Sequence, residues 1–478
     1  MSHAALINEL KQIVGDRYLL SAMEDVIVYE QDASILQAMP EVVALPADVE
    51  QVSSIVQAAR RASVPIIPRG SGTGLAGGAV PAEGGIVISL ARLNRILKLD
   101  LENRLAIVEP GVINFEVTKA VAQEGFFYAP DPSSQAACSI GGNVANNSGG
   151  PHTLAYGVTT NHVLGVEAVL SDGRVAWLGG SVPDPPGYDL CGVFVGSEGT
   201  LGIVTKVAVR LMRAREAVGT LLAVYDRMDL ASQTVVDITS AGIIPAALEL
   251  MDQLSIEAVE RGAPVGYPRD AAAVLLVEIE GVKEHADRAM RLVQTLCARN
   301  GAREVRVAQG ETERQLLWKG RKGAFGALGT LAPNYYVQDG VVPRSRLPEI
   351  MRLVGEISQR YELRIANVFH AGDGNLHPNI LFDLRQPGAL DRVIEASAAI
   401  LRACVEMGGS ITGEHGIGLE KKAYIGLLFG DEDLEAMTRV RSAFDPDSRF
   451  NPAKLFPSPI TCGEIRRDQA NLPAGLWI

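Results

Sequence analysis

Apolar positions recur along this chain with two different periods. Leu6, Leu10, Ile13 and Val14 stand at helical spacing, and the stretch after them up to residue 40 has no such regularity. That pattern predicts a short N-terminal helix followed by a loop. From residue 41 the pattern changes to short β-branched runs closed by Gly, Pro or Asp: EVVALP (41–46), VPIIP (64–68), GIVISL (85–90), LAIVEPG (105–111), VEAVLSDG (166–173) and GIVTKVAVRL (202–211). These are strand signals. Between the first two, Val49, Val52, Ile55, Val56 and Ala59 line one helical face, so strand, helix and strand make a βαβ unit. The later runs have little helix between them, which predicts a mixed α+β region.

A second region begins near residue 216. TLLAVYD (220–226), AALELMD (246–252) and AAVLLVEIEG (272–281) read as strands, interleaved with helical stretches, the last of which stops at Gly301. The alternation predicts a sheet with helices on one face. It continues through YYVQDGVVP (335–343), a helix at 346–360, LRIANVFHAGDGNLHPNILFD (363–383) and a helix at 388–407. The tail from 430 holds one more helix, FNPAKLFP and a polar end.

Composition narrows the function classes. The 478 residues are 47% hydrophobic and 21% charged, enough apolar content for a large core. Lys+Arg 44 against Asp+Glu 56 gives 44 − 56 = −12, which disfavours non-specific binding to nucleic acid or anionic membrane. The five cysteines (Cys138, Cys191, Cys297, Cys404, Cys462) are scattered and form no CxxC pair. A disulfide framework or a cysteine-built cluster is therefore not expected, and a reducing, cytoplasmic setting fits. The opening residues carry charges and no apolar run, so no signal peptide is expected.

Glycines cluster in three places. The first is Arg69-Gly70-Ser71-Gly72-Thr73-Gly74-Leu75-Ala76-Gly77-Gly78. Glycine-rich turns let backbone N–H groups approach an anion closely. A dinucleotide fingerprint would need a helix to follow at once, but Pro81, Gly84 and Gly85 follow instead, and no GK[ST] of a P-loop is present. The second cluster is PDPSSQAACSIGGNVANNSGG (130–150) and the third is VGSEGTLGIV (195–204). Three such loops within about 200 residues suit a wall laid against a flat, polar, phosphate-bearing ligand.

Histidines form a second constellation. The Gly-Asp-Gly-Asn core of His370-Ala371-Gly372-Asp373-Gly374-Asn375-Leu376-His377 is a turn signal between two strand-like runs. A hairpin there brings His370 and His377 together at strand ends, at a distance suited to one metal ion. Glu414 and His415 follow in a glycine setting, Gly413-Glu414-His415-Gly416. Two imidazoles and one carboxylate leave positions open on a divalent ion, as catalytic sites do.

Taken in order, RGSGTGLAGGAV, PDPSSQAACSIGGNVANNSGG, GSEGTLGIVT, FHAGDGNLHP, GEHGIG and FNPAKLF resemble the FAD-linked oxidase family of the vanillyl-alcohol oxidase fold. The likeness is strongest to the branch holding the FAD subunits of bacterial glycolate oxidases, with D-lactate and D-2-hydroxyglutarate dehydrogenases nearby. It implies an α+β chain in three parts. These are an FAD-binding domain at 1–215, a ferredoxin-like substrate and metal domain with an antiparallel sheet at 216–420, and a helical segment at 421–478 that completes the FAD domain. By this resemblance, Arg69, Gly70, Ser71, Gly72, Thr73, Gly74, Gly77 and Gly78 hold the FAD pyrophosphate. Pro130, Asp131, Ser133, Ser134, Gly141, Gly142, Asn143, Asn146, Ser148 and Gly149 line the rest of the cofactor. Glu198, Gly199 and Ile203 are adenine-side contacts, and Asn451 of FNPAKLF joins the FAD site. No histidine lies within 64–84, so the FAD is expected to be dissociable. His152 reads as a structural hydrogen-bonder.

The same resemblance makes His370, His377 and Glu414 ligands to zinc, iron or manganese. It makes His415 the base, Arg321 the partner of the substrate carboxylate, and Asn375 a residue holding the substrate or a metal ligand. The implied reaction is oxidation of a small 2-hydroxy acid to the 2-oxo acid, with hydride passing to flavin N5. Phe325 and the Val337-Gln338 region stand where dicarboxylate-using relatives have polar residues. Glycolate is therefore the first expected substrate and D-lactate the second. A D-2-hydroxyglutarate-type dehydrogenase and a non-catalytic flavin-binding subunit are the alternatives. With no cysteine cluster of its own, the chain is expected to pass electrons to an iron–sulfur partner subunit. No segment is apolar enough to span a bilayer, so any contact with the inner membrane, at its cytoplasmic face, would run through partners.

Overall fold

The computed structural model describes residues 2–182 and 186–457. The polar end of the chain and Cys462 lie outside the described residues. The chain divides into two units: Met1–Ser148 with Val158–Arg213 and Glu414–Ile478, and Gly149–Gly157 with Ala214–Gly413.

In the first unit, Val42–Ala44, Ile86–Ser89 and Ile66–Arg69 pair in parallel, with Leu19–Leu20 antiparallel at the edge. Parallel strands are covered on both faces, and Val42, Val43, Ala44, Ile86, Val87 and Ile88 are all buried. The helix Val49–Ala62 is capped by Asp48, whose carboxylate accepts from Gln51 N. It packs Val52, Ile55, Val56 and Ala59 into this core beside Leu6 and Leu10. Each Val, Ile or Leu among them stabilises the fold by about 1.5–3 kcal/mol when fully buried. A second, antiparallel sheet runs Ile96–Asp100, Leu105–Val108, Ile203–Arg210, Val163–Val169, Val175–Gly179. The helix Ile140–Asn146 lies on it through Ile140 and Val144.

The second unit is one seven-stranded antiparallel sheet. Its order is Glu304–Val307, Ala217–Tyr225, Ala273–Gly281, Ala247–Asp252, Arg364–His370, Pro378–Phe382, Asn334–Val337. The first four strands are in ferredoxin-like arrangement. Helices cover both faces, where the alternation along the sequence predicts one. Met228–Ser240, Lys283–Arg299, Leu347–Arg360 and Ala389–Glu406 pack on the side of Leu221, Ala223 and Tyr225. Gln253–Gly262 and Glu311–Ala327 pack on the side of Leu222 and Val224. The unbroken run AVLLVEI carries that signal, because a strand buried on both sides has no polar face to alternate with.

Two further differences concern extent. Of the 335–343 strand, only Asn334–Val337 forms; beyond it Val341 makes isolated bridges to Asn375 and Ser410. Residues 149–157 belong with the second unit, and the return to the first begins at Glu414. The excursion is pinned by His152, which faces Glu278 at 3.2 Å and stacks on Trp318, and by the Tyr156–Glu280 hydrogen bond.

Candidate active site

The first unit carries the glycine loops. The strand Ile66–Arg69 runs straight into the first loop, and Gly72 and Gly77 take the left-handed φ values of +71° and +74° that favour glycine. A Cβ on Gly70 would land on Ser139 Oγ. The bare backbone at Gly70 thus forms one wall of a cleft of about 450 Å³, with Ser71, Asn94, Ile113, Glu116 and Ser139 among its other walls. A cleft narrowed to glycine backbone on one side and hydroxyl and amide groups on the other fits a phosphate-bearing planar cofactor.

Several expected cofactor residues are anchors of this cleft. Arg69 is buried, with Nη1 donating to Gln31 O at 2.8 Å and the guanidinium over the Tyr29 ring, and burial holds it below its ordinary pKa. Asn143 Oδ1 accepts from Asn114 Nδ2 at 2.9 Å; the same nitrogen reaches Pro130 O at 3.0 Å, so one amide ties the second glycine cluster to the PDPSS turn. Asn114 went unread in the sequence, although it is the polar position on an otherwise apolar helix face with Val117 and Val121.

The Glu198 carboxylate accepts from Ile417 N and Gly418 N, both at 2.7 Å. Burial pushes its pKa up to about 7. Ile203 has its side chain in the core with Ile88 and Val169. Asn451 Nδ2 donates to Gly78 O at 2.8 Å and Glu198 O at 2.7 Å, and Lys454 Nζ donates to Val80 O at 2.6 Å. The FNPAKLF segment therefore braces the first glycine loop from behind. Asn146 Nδ2 donates to His415 O at 2.7 Å, and His415 Nε2 lies 3.9 Å from Glu414 Oε1.

The second unit carries the histidine hairpin. Arg364–His370 and Pro378–Phe382 pair with Asn367 opposite Pro378, and His370 bridges Asn375. Gly374 makes the turn at φ +81°. The two imidazoles meet edge to face, with centroids 5.1 Å apart and a ligand atom of each within 4.8 Å of the other. His370 Nδ1 lies 2.9 and 3.0 Å from the two Glu249 oxygens, and His377 Nδ1 lies 3.2 Å from Gln338 O. Each ring thus directs Nδ1 at an oxygen acceptor and keeps Nε2 as its remaining nitrogen, the usual arrangement of a metal-ligating histidine. The donor set fits a divalent ion.

Arg321, on the helix Glu311–Ala327, is fully buried. Its Nη2 pairs with Glu249 Oε2 at 2.5 Å, while Nε and Nη1 have no hydrogen-bond partner. Asn375 Nδ2 donates to Asp339 Oδ1 at 2.8 Å, and Asp339 Oδ2 accepts from Thr412 Oγ1 at 2.5 Å and Gly413 N at 3.1 Å. Asp339 thereby joins the hairpin to the residue immediately before Glu414 in the chain. The Phe325 ring lies 5.8 Å from that of His377. Glu249 and Asp339 were not read from the sequence. An acid in the middle of the apolar run AALELM, ahead of the capping Asp252, is the signal that marks Glu249.

A mostly antiparallel chain with a glycine-walled cleft and a buried histidine and arginine site has the build of a flavoprotein oxidoreductase. Residues 214–455 match the FAD linked oxidases, C-terminal domain, and residues 40–179 match the FAD binding domain. The chain is 44% identical to glycolate oxidase subunit GlcD of Escherichia coli over 466 residues, covering 97% of this chain and 93% of that one. It is 35% identical to a D-lactate dehydrogenase of Archaeoglobus fulgidus over 416 residues, covering 87% and 91%. Among solved structures, p-cresol methylhydroxylase with substrate bound superposes with a TM-score of 0.81 at 17% identity, covering 95% of this chain and 96% of that one, which places the fold in the vanillyl-alcohol oxidase class. The chain belongs to the FAD-linked oxidase family, and its cofactor is FAD. Among the described residues, no helix is long and apolar enough to cross a membrane. Cys138, Cys191, Cys297 and Cys404 are buried free thiols.

Proposed function

We propose that the chain oxidises a small 2-hydroxy acid to the 2-oxo acid, glycolate first and D-lactate second. A divalent metal, zinc in the first instance, is held by His370, His377 and Glu414. One observation carries this reading: Arg321 is fully buried with two partnerless nitrogens beside the histidine pair. A buried guanidinium left half-bonded calls for an anion, and a carboxylate fits its fork. When bound, FAD takes up the C2 hydrogen as hydride and the metal acidifies the substrate hydroxyl.

The chain's own residues do the rest. Arg321 grips the carboxylate and orients the molecule. His415 receives the hydroxyl proton. Asn375, its amide nitrogen held by Asp339, presents Oδ1. Phe325 gives the site an apolar limit that disfavours a second carboxylate, against the D-2-hydroxyglutarate reading. The FAD is dissociable, and its electrons leave for an iron–sulfur partner subunit in the cytoplasm. The name of the Escherichia coli relative, a subunit, supports a multi-chain assembly.

The test is dye reduction by a panel of 2-hydroxy acids before and after chelation. Turnover confined to two- and three-carbon acids and abolished by chelation is expected. His377→Ala should lose turnover, and His415→Ala should keep FAD and lose turnover. Full activity in His377→Ala removes the metal from the reaction, and a yellow protein inert towards every acid favours the non-catalytic subunit.

A further inference from the structure

The strand Ala247–Asp252 sets Glu249 directly opposite His370 in the ladder. Leu248 and Leu250 face the core on either side, and the Glu249 side chain is fully buried. One carboxylate here has two clients: both oxygens lie within 3.0 Å of His370 Nδ1, and Oε2 holds Arg321 Nη2 at 2.5 Å. A lone pair on Nδ1 would face two carboxylate oxygens, so the proton sits on Nδ1 and the lone pair on Nε2. Arg321 Nη2 is also 3.4 Å from Nδ1. A protonated Nδ1 cannot accept from it, so the guanidinium is held by the carboxylate alone. That grip fixes the guanidinium with Nε and Nη1 uncommitted.

We infer that Glu249 is a positioning residue for both halves of the second unit's site, setting the ligating tautomer of His370 and the orientation of Arg321 with a single buried charge. The inference rests on the reading of His370 and His377 as metal ligands. Neither half can then be altered through Glu249 without the other: the same substitution weakens metal binding and anion binding together.

Two variants test it. Glu249→Gln has one acceptor oxygen for two donors. Glu249→Asp keeps the charge that compensates Arg321, and so the fold, but withdraws the carboxylate by one methylene. Zn2+ affinity of the FAD-loaded protein is read by competition with a chromophoric chelator. Anion affinity is read from the perturbation of the flavin spectrum by oxalate, a two-carbon anion with no hydroxyl to oxidise. Loss of a buried carboxylate behind a ligating histidine lowers metal affinity by ~10–100-fold, and that loss is expected in both variants, together with weaker oxalate binding and unchanged FAD content. Wild-type protein that binds Zn2+ alongside variants that bind it equally well overturns the inference alone. Variants that lose Zn2+ affinity but keep oxalate affinity also overturn it, because the two halves would then be independent. Wild-type protein that takes up no Zn2+ ends the metal reading and this inference with it.

Discussion

The side-chain amide of Asn146 donates to the backbone carbonyl of His415 at 2.7 Å, joining positions 269 residues apart. The second glycine cluster thus supports the backbone of the proposed base. Removing the donor leaves a partly buried carbonyl unmatched, at a cost of about 1 kcal/mol. Asn146→Ala should therefore fold and lower kcat several-fold. Dye-reduction kinetics beside a melting curve check this; unchanged kcat would mean that the segment holds its place without Asn146.

Glu198 gives the segment its second anchor and a pH signature. Burial raises its pKa from an ordinary 4.5 to about 7, against the lowering effect of the Ile417 and Gly418 amides. A carboxyl that binds its proton more tightly when folded stabilises the protein most below the unfolded pKa, and that contribution is lost as pH rises through the folded one. In Glu198→Gln the titration is absent. The stability margin of wild type over Glu198→Gln should accordingly shrink between about pH 4.5 and 7. Parallel thermal melts of both proteins at pH 4.5 and 8 measure it, and a margin that widens with pH contradicts the assignment.

Gly70 is where the cleft has no room. A Cβ there meets Ser139 Oγ and then Gly142 N at 3.4 Å, so either the loop or the Ile140–Asn146 helix has to shift. Overpacking of this kind costs about 1–3 kcal/mol, and it falls on the proposed cofactor wall. Gly70→Ala should lose FAD affinity by ~10-fold or more, seen as flavin absorbance per protein after gel filtration. Full FAD content would place the cofactor away from Gly70.

Glu278 behaves oppositely to Glu198. Burial would raise its pKa, but His152, Thr220 and Arg314 outweigh it and hold the carboxyl down to about 2. Trp318 Nε1 adds a hydrogen bond of 2.6 Å. A depressed carboxyl contributes stability above its unfolded pKa of about 4.5 that disappears as pH falls towards 2. Glu278→Gln should be less stable than wild type at pH 7 by a few kcal/mol, since a buried network loses its charge, and this deficit should narrow in acid. Urea unfolding followed by circular dichroism at pH 7 and pH 3 tests both halves.

The strand runs from 41 to 211 and the His370–His377 hairpin were legible because local chemistry specifies them, whereas the ferredoxin-like arrangement came only from the family resemblance. Runs of Val and Ile closed by glycine or proline choose strand and turn whatever surrounds them. The helices on both faces of the second sheet were missed because alternation along the chain shows where helices occur and not which side each one takes. The family resemblance puts Glu198 among the adenine-side contacts, and nothing near it in the sequence shows what holds its carboxylate. In the folded protein Ile417 and Gly418, more than 200 residues away, claim its carboxylate.

The sequence by itself determined that this chain is built around three glycine-walled loops and a pair of histidines in a tight turn. Those features depend on φ values and spacings that a few neighbouring residues settle. Only the tertiary structure decided which acids stand behind the site. Glu249 on His370 and Arg321, and Asp339 on Asn375, Thr412 and Gly413, are buried charges whose meaning lies in remote partners. A buried carboxylate is tolerable only where such donors converge. No local pattern encodes that convergence, because packing of the sheet and its helices brings it about.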